Sequence, residues 1–232
     1  FAGDLDITKL SFYAYAHLQK PYILLTSGAA LGEGCGPLVV QQLEKHLPAS
    51  LEGCRIAIPG ENTTANFLFS LRFPMAKNKQ VLLFSEIEDA VASGKVDAGV
   101  IIHESRFTFQ QKGLIQLEDL GEFWEHSTQY PIPLGGIVAR RSFDKDTLQR
   151  INRVVRRSVD YAQAHRDEAL QYVRQFAQTM QESVMLQHID LYVNEFTTQL
   201  GNRGEEAVRF MFNRAQRLGL IAQVESALFI ES

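Results

Sequence analysis

Ala98-Gly99-Val100-Ile101-Ile102-His103-Glu104-Ser105-Arg106 is the stretch on which the reading of this chain turns. A short apolar run reads as a buried strand, and this one hands over at once to an imidazole, a carboxylate, a hydroxyl and a guanidinium. In open α/β sheets ligands sit at the carboxyl ends of the strands, so His103 is the first candidate for chemistry. An unperturbed imidazole pKa of about 6.5 suits a general base or acid near neutral pH. A core histidine satisfied by a backbone carbonyl is the competing reading of the same residues.

Outward from this stretch, strand-like and helix-like segments alternate through the first 140 residues, after which the pattern is almost wholly helical. Alternation of this kind predicts an α/β fold with a mainly parallel sheet, followed by a helix-rich C-terminal part. Leu5 to Ile7 reads as a strand, Ser11 as the cap of a helix reaching His17 to Gln19, and Tyr22 to Thr26 as a second strand. Ser27 to Pro37 is too rich in glycine for either element; its backbone could approach a ligand closely, or it is a plain turn. Arg55 to Pro59 reads as a strand, and the side-chain oxygens of Asn62, Thr63 and Thr64 precede Phe67, Leu68 and Leu71, the N-cap signature of an amphipathic helix. Val81 to Phe84 is another strand, Glu86 to Ser93 another helix, and Val96 to Ile102 the strand that carries His103.

Two segments read as crossovers between lobes. Gly36 to Val40 leaves the first lobe and the Pro/Gly-rich Pro131 to Ala139 returns to it, as a hinge would. Residues 43–132 are then an inserted lobe, with 1–42 and 133–232 forming the other. In the latter, Asp144 caps a helix with Leu148, Ile151, Val155 and Val159 on one face, and helices follow at about 167–176, 182–196 and 204–218, with Gly219 as the stop signal.

Composition bounds the partners. A formal net charge of -4 and the lack of a dense Lys/Arg stripe argue against nucleic acid and anionic membrane surfaces, which need a concentrated positive field. A small molecule is the expected partner, and self-association into a homo-oligomer is compatible with the sequence. Cys35 and Cys54 have neither the number nor the spacing of a disulfide framework or a metal site, and read as buried free thiols of a reducing compartment. No apolar run reaches the roughly 18 residues of a membrane span, and no signal peptide opens the chain, so the cytoplasm is the expected location. Phe1 is not an initiator, which points to a segment lost upstream.

Metal sites are not indicated, because no HExxH occurs and no Cys/His pair has ligand spacing. The glycine loop matches neither a P-loop nor a dinucleotide fingerprint. Anion binding has better support. Helix starts expose unpaired N–H groups at the positive end of the macrodipole, so Thr63, Thr64 and Ala65 form a plausible carboxylate cradle. Lys9, Leu10 and Ser11 repeat the arrangement where the first strand runs into a helix, and the two starts are expected to face one cleft. Simple helix capping is the competing reading of both.

Several ordered segments together resemble the 1,4-dihydroxy-6-naphthoate synthases of the futalosine route to menaquinone. They are Asp6 to Ser11 with Ala14-Tyr15-Ala16, Ser27 to Val40, Ile58-Pro59-Gly60 with Thr63-Thr64-Ala65, Ile101 to Thr108, and Pro131 to Gly136. The resemblance implies a two-lobed type 2 periplasmic-binding-protein-like fold put to enzymatic use. It implies a cofactor-independent lyase that converts cyclic dehypoxanthinylfutalosine, a carboxylate, into 1,4-dihydroxy-6-naphthoate with release of a sugar-derived fragment. His103 matches the family's proton acceptor, and Lys9, Leu10, Ser11, Thr64 and Ala65 match its substrate contacts, with Thr63 adjacent. Lys9 or Arg106 would offset developing negative charge, although Arg106 also reads as half of a surface ion pair. The family's strand and turn further upstream are absent here. A solute-binding protein of the same fold, holding a small carboxylate without chemistry, is the alternative from another class.

Overall fold

The structure is a computed structural model and describes residues 3–177 and 181–231; Phe1, noted above, lies outside the described residues. In chain order the strands are β1 (Ile7–Ser11), β2 (Tyr22–Leu24), β3 (Ala30–Gly32), β4 (Leu38–Gln42), β5 (Ile56–Ile58), β6 (Lys79–Val81), β7 (Ala98–Ile101), β8 (Leu114–Asp119) and β9 (Ile132–Arg140). The helices are α1 (Phe12–Ala16), α2 (Thr64–Arg72), α3 (Ile87–Ala92), α4 (Ser105–Thr108), α5 (Leu120–Thr128), α6 (Lys145–Ala164), α7 (Arg166–Val173), α8 (Glu182–Tyr192), α9 (Glu195–Thr198) and α10 (Gly201–Arg217). Contacts divide the chain into two units, one built from the residues up to Gly32 together with those from Pro133 onward, the other from Glu33–Ile132.

In the first unit β9 lies between β1 and β2 and runs antiparallel to both, with Ser11 opposite Gly135 and Tyr22 opposite Arg140. This sheet is therefore not the parallel one that alternation predicts. The Gly135-Gly136 pair explains how β9 fits. A Cβ at Gly135 would stand 2.7 Å from the Leu10 carbonyl oxygen, and one at Gly136 2.7 Å from Leu24 Cδ1. Glycines read as a hinge thus let three strands close up. The chain end joins in, since Leu24 N–H donates to the Leu228 carbonyl and Ile230 N–H to that of Leu24, both at 3.0 Å.

Ile23, Leu25, Ala139 and Ile230 form a core under Ile151 and Val155 of α6, whose Asp144 cap accepts from Thr147 N–H at 2.8 Å. Every residue of α1 is buried, and the Tyr15 ring meets Phe212 of α10 at 5.8 Å. The expected helix at 182–196 is broken after Tyr192. Asn194 starts α9 by accepting from Phe196 N–H at 3.0 Å, while its own N–H donates to Thr197 Oγ1 at 3.2 Å, a reciprocal cap that ends one helix and begins another.

The second unit holds a mixed sheet in the order β6-β5-β7-β4-β8. β5 is parallel to β6 and β7, whereas β4 is antiparallel to β7 and β8. Gly36 to Val40, expected to lead out of the first lobe, runs into β4, an inner strand of this sheet. The strand expected at 81–84 lies earlier, at Lys79–Val81, and Phe84–Glu86 forms a 3₁₀ turn leading into α3. α3 packs hard on β7 because Gly99 has no side chain; a Cβ there would stand 2.5 Å from Ile87 and 2.8 Å from Val91. Leu38, Val40, Ala57, Val91 and Ile101 belong to the resulting core.

Candidate active site

β7 is buried at all of its residues, and the chain leaves its carboxyl end through Ile102 into His103. His103 is exposed, in contrast to the core histidine that the sequence also allowed. Its backbone is left-handed, with φ 58°, a conformation uncommon outside glycine that turns the chain sharply from strand into α4. The turn is closed by Arg106 N–H donating to the His103 carbonyl at 3.2 Å and Phe107 N–H to that of Glu104 at 2.9 Å. The Phe84 ring packs against the imidazole in a T-shaped arrangement, with centroids 5.2 Å apart and planes at 68°. The imidazole is thus held by an aromatic neighbour in a residue that remains exposed.

β5 is the parallel neighbour of β7, so its carboxyl end lies at the same edge of the sheet as the His103 turn. From there Pro59 and Gly60 lead to α2. Thr63 caps it: its Oγ1 accepts from Asn66 N–H at 3.1 Å and donates to the Gly60 carbonyl at 2.7 Å. Thr64 and Ala65, the first residues of α2, are buried, and their N–H groups belong to the first turn, which has no partner within the helix. The structure therefore brings His103 and Thr63–Ala65 to one end of one sheet.

Lys9, Leu10 and Ser11 lie in the first unit, on β1. The sequence reading treats Ser11 and Thr63 as equivalent caps; the structure does not. α1 is a single short, fully buried turn, and the Ser11 side chain makes no capping hydrogen bond to it. Lys9 is exposed, and protein packed around its ammonium lowers its pKa from the usual lysine value through loss of hydration.

Arg106 is committed elsewhere. Its guanidinium donates to the Gly36 carbonyl at 2.7 Å and to Asp119 Oδ2 at 2.6 Å, and Asp119 is buried while its other oxygen accepts from Gly121 and Glu122 N–H at the start of α5. The ion-pair reading of Arg106 fits this, although the pair is buried on the Asp119 side rather than superficial. Sequence reasoning missed Phe84, placed in a strand, and Glu88, a carboxylate on a helix that pattern alone assigns to solvent. Cys35 and Cys54 are buried and free, and burial pushes the Cys35 thiol up to about 12. Among the described residues no group of three or more His, Cys, Asp or Glu side chains is arranged to hold a metal ion, and no helix is long and apolar enough to cross a membrane.

The sequence model of the family described as menaquinone biosynthesis matches residues 1–217. The chain belongs to that family. A 1,4-dihydroxy-6-naphtoate synthase from Thermus thermophilus is 45% identical over 228 residues, covering 98% of this chain and 82% of that protein. A second synthase of the same name from Streptomyces coelicolor is 45% identical over 224 residues, covering 94% and 78%. Among solved structures, a protein from Archaeoglobus fulgidus superposes with a TM-score of 0.88 at 32% identity, over 94% of this chain and 81% of that one. The periplasmic aliphatic sulphonate binding protein of Escherichia coli, 13% identical, superposes with a TM-score of 0.65 over 99% of this chain and 78% of its own. At that identity only the fold is shared, and it is the type 2 periplasmic-binding-protein-like fold built of two sheet-containing lobes.

Proposed function

We propose that this chain is a 1,4-dihydroxy-6-naphthoate synthase, a cytoplasmic carbon–carbon lyase of menaquinone biosynthesis acting on cyclic dehypoxanthinylfutalosine. His103 is the proton acceptor. The observation that carries the reading is an exposed imidazole on a left-handed turn at the carboxyl end of a buried strand, in a chain 45% identical to synthases of that name.

His103 takes a proton from the substrate, and the electrons left behind move toward the forming aromatic diol as the bond to the sugar-derived fragment breaks. Aromatisation supplies the thermodynamic drive. A positioned general base contributes about 10² to 10⁴-fold, so positioning and exclusion of water must supply the rest. The first-turn amides of α2, at Thr64 and Ala65 behind the Thr63 cap, hold the substrate carboxylate, a contribution of about 0.3–1 kcal/mol at an exposed terminus and up to about 2 when partly buried. Lys9, Leu10 and Ser11 contribute further substrate contacts, and Lys9 offsets developing negative charge.

The test is to incubate the protein with cyclic dehypoxanthinylfutalosine and follow the naphthoate product by chromatography. His103→Asn is expected to bind substrate with unchanged affinity and turn over at least about 100-fold more slowly. Equal turnover by the variant removes His103 from the mechanism. A wild-type protein that binds the compound and returns it unaltered is a solute-binding protein, not a lyase.

A further inference from the structure

Glu88 lies on the first turn of α3 and is almost completely buried, with 6% of its surface exposed. Removing a carboxylate from water is costly unless its oxygens are hydrogen-bonded and its charge is matched. The nearest cation is a weak match, because Lys112 Nζ stands 3.7 Å from Glu88 Oε2 while making its short contact, 2.6 Å, with exposed Asp89. What the carboxylate does hold is the chain just after His103. Ser105 Oγ donates to Oε2 at 3.1 Å, and Thr108 Oγ1 donates to Oε1 at 3.3 Å, with the Glu104 carbonyl a longer alternative at 3.5 Å. Ser105 and Thr108 are the two ends of α4, so one buried group grips the whole of the short turn that follows the imidazole.

That turn needs support. A non-glycine residue at φ 58° persists only where its surroundings over-determine it. Phe84, which meets the imidazole edge-on, precedes α3 by one 3₁₀ turn, so the segment from Phe84 to Ala92 touches both the ring and the helix beyond it. Gly99 allows α3 to approach β7 closely enough for both contacts.

We infer that Glu88 is a positioning residue for His103: its carboxylate clamps Ser105 and Thr108 and so fixes the left-handed turn that presents the imidazole. The inference rests on the role of His103 proposed above. Misplacing a catalytic group by about 1 Å can cost about 100-fold, so loss of the clamp should be read in turnover rather than binding.

Glu88→Leu, which abolishes both acceptors, is expected to lower kcat about 10- to 100-fold and leave KM within about threefold. Glu88→Gln should recover kcat to within about threefold of wild type, because an amide accepts one hydroxyl at its oxygen and donates to the other from its nitrogen. Ser105→Ala placed on Glu88→Leu should add little, since both remove the same interaction. Without substrate, amide exchange at Arg106 and Phe107 should quicken at least about tenfold in Glu88→Leu while the melting temperature of the rest of the unit holds. If Glu88→Leu does not fold, Ser105→Ala and Thr108→Val, singly and together, carry the same test with Glu88 in place. Folded variants with wild-type kcat and wild-type exchange overturn the inference, as does Glu88→Gln being as impaired as Glu88→Leu. The exchange measurement decides for or against the clamp even if the wild-type protein forms no naphthoate, an outcome that would sink the lyase reading alone.

Discussion

Two strand-to-helix junctions look alike in sequence and differ in the structure. At Leu10-Ser11-Phe12 and at Thr63-Thr64-Ala65 an extended segment reaches a hydroxyl residue and then a helix. Thr63 makes the capping bond to Asn66 N–H and opens a helix of nine residues. Ser11 makes none to α1, which lasts five residues and is buried throughout. The Thr63 junction is thus a side-chain-capped helix start, whereas the Ser11 junction is a core turn whose polar residues sit just ahead of it on β1. A hydroxyl at the right spacing marks where a helix can begin; packing decides whether it caps one.

The largest effect that tests this contrast lies in α1. Tyr15 is fully buried, donates to the Leu228 carbonyl at 2.7 Å, and has its phenol pushed up to about 12, first by burial and against the pull of Arg141. Its unfolded pKa is near 10, so the folded state retains the proton longer. The stability tied to it is complete below about pH 10 and is lost as pH rises toward about 12, a total of about 2–3 kcal/mol. Denaturant titrations of wild type should show this alkaline decline, and Tyr15→Phe should flatten it. An identical decline in the variant would mean that α1 is not the buried element described.

The second effect lies at α2. Thr63→Ala removes the cap from Asn66 N–H and one of the two hydrogen bonds to the Gly60 carbonyl, and should cost about 1 kcal/mol, recovered by Thr63→Ser. Chemical denaturation measures it directly. A loss of only a few tenths in Thr63→Ala would erase the distinction between the two junctions.

How far these features could be read in advance follows from the range of the forces involved. His103 at a strand end, the Thr63 cap, the Asp144 cap and the Gly219 stop are local patterns, and each was legible. The antiparallel place of β9 was not, because the Gly135-Gly136 pair has the same composition as a hinge and its purpose depends on Leu10 and Leu24, far away in sequence. The closing Leu228–Ile230 segment was missed for the same reason. Within the site, Glu88 reads as one more helix-surface carboxylate, and only the proximity of Ser105 and Thr108 gives it a task. Phe84 was legible as an apolar residue but not as the neighbour of His103.

The smallest effect concerns Lys9, on the strand that enters the short helix. Protein packed around its ammonium lowers its pKa through loss of hydration, so between the folded and unfolded values the unfolded chain binds more protons. Stability tied to this group is therefore penalised below its folded pKa and recovers as pH rises toward about 10.4, the unfolded lysine value. Because Lys9 is exposed, solvent screening keeps the penalty small. Lys9→Met should be slightly more stable than wild type at neutral pH, with the difference shrinking in alkali, while turnover of cyclic dehypoxanthinylfutalosine falls. Thr63 is expected to support its own helix, whereas Lys9 is expected to cost the fold slightly, in keeping with the charge we propose it offers a substrate. A Lys9→Met protein less stable than wild type at pH 7, or one with unimpaired turnover, would remove that explanation and return β1 to a purely structural role.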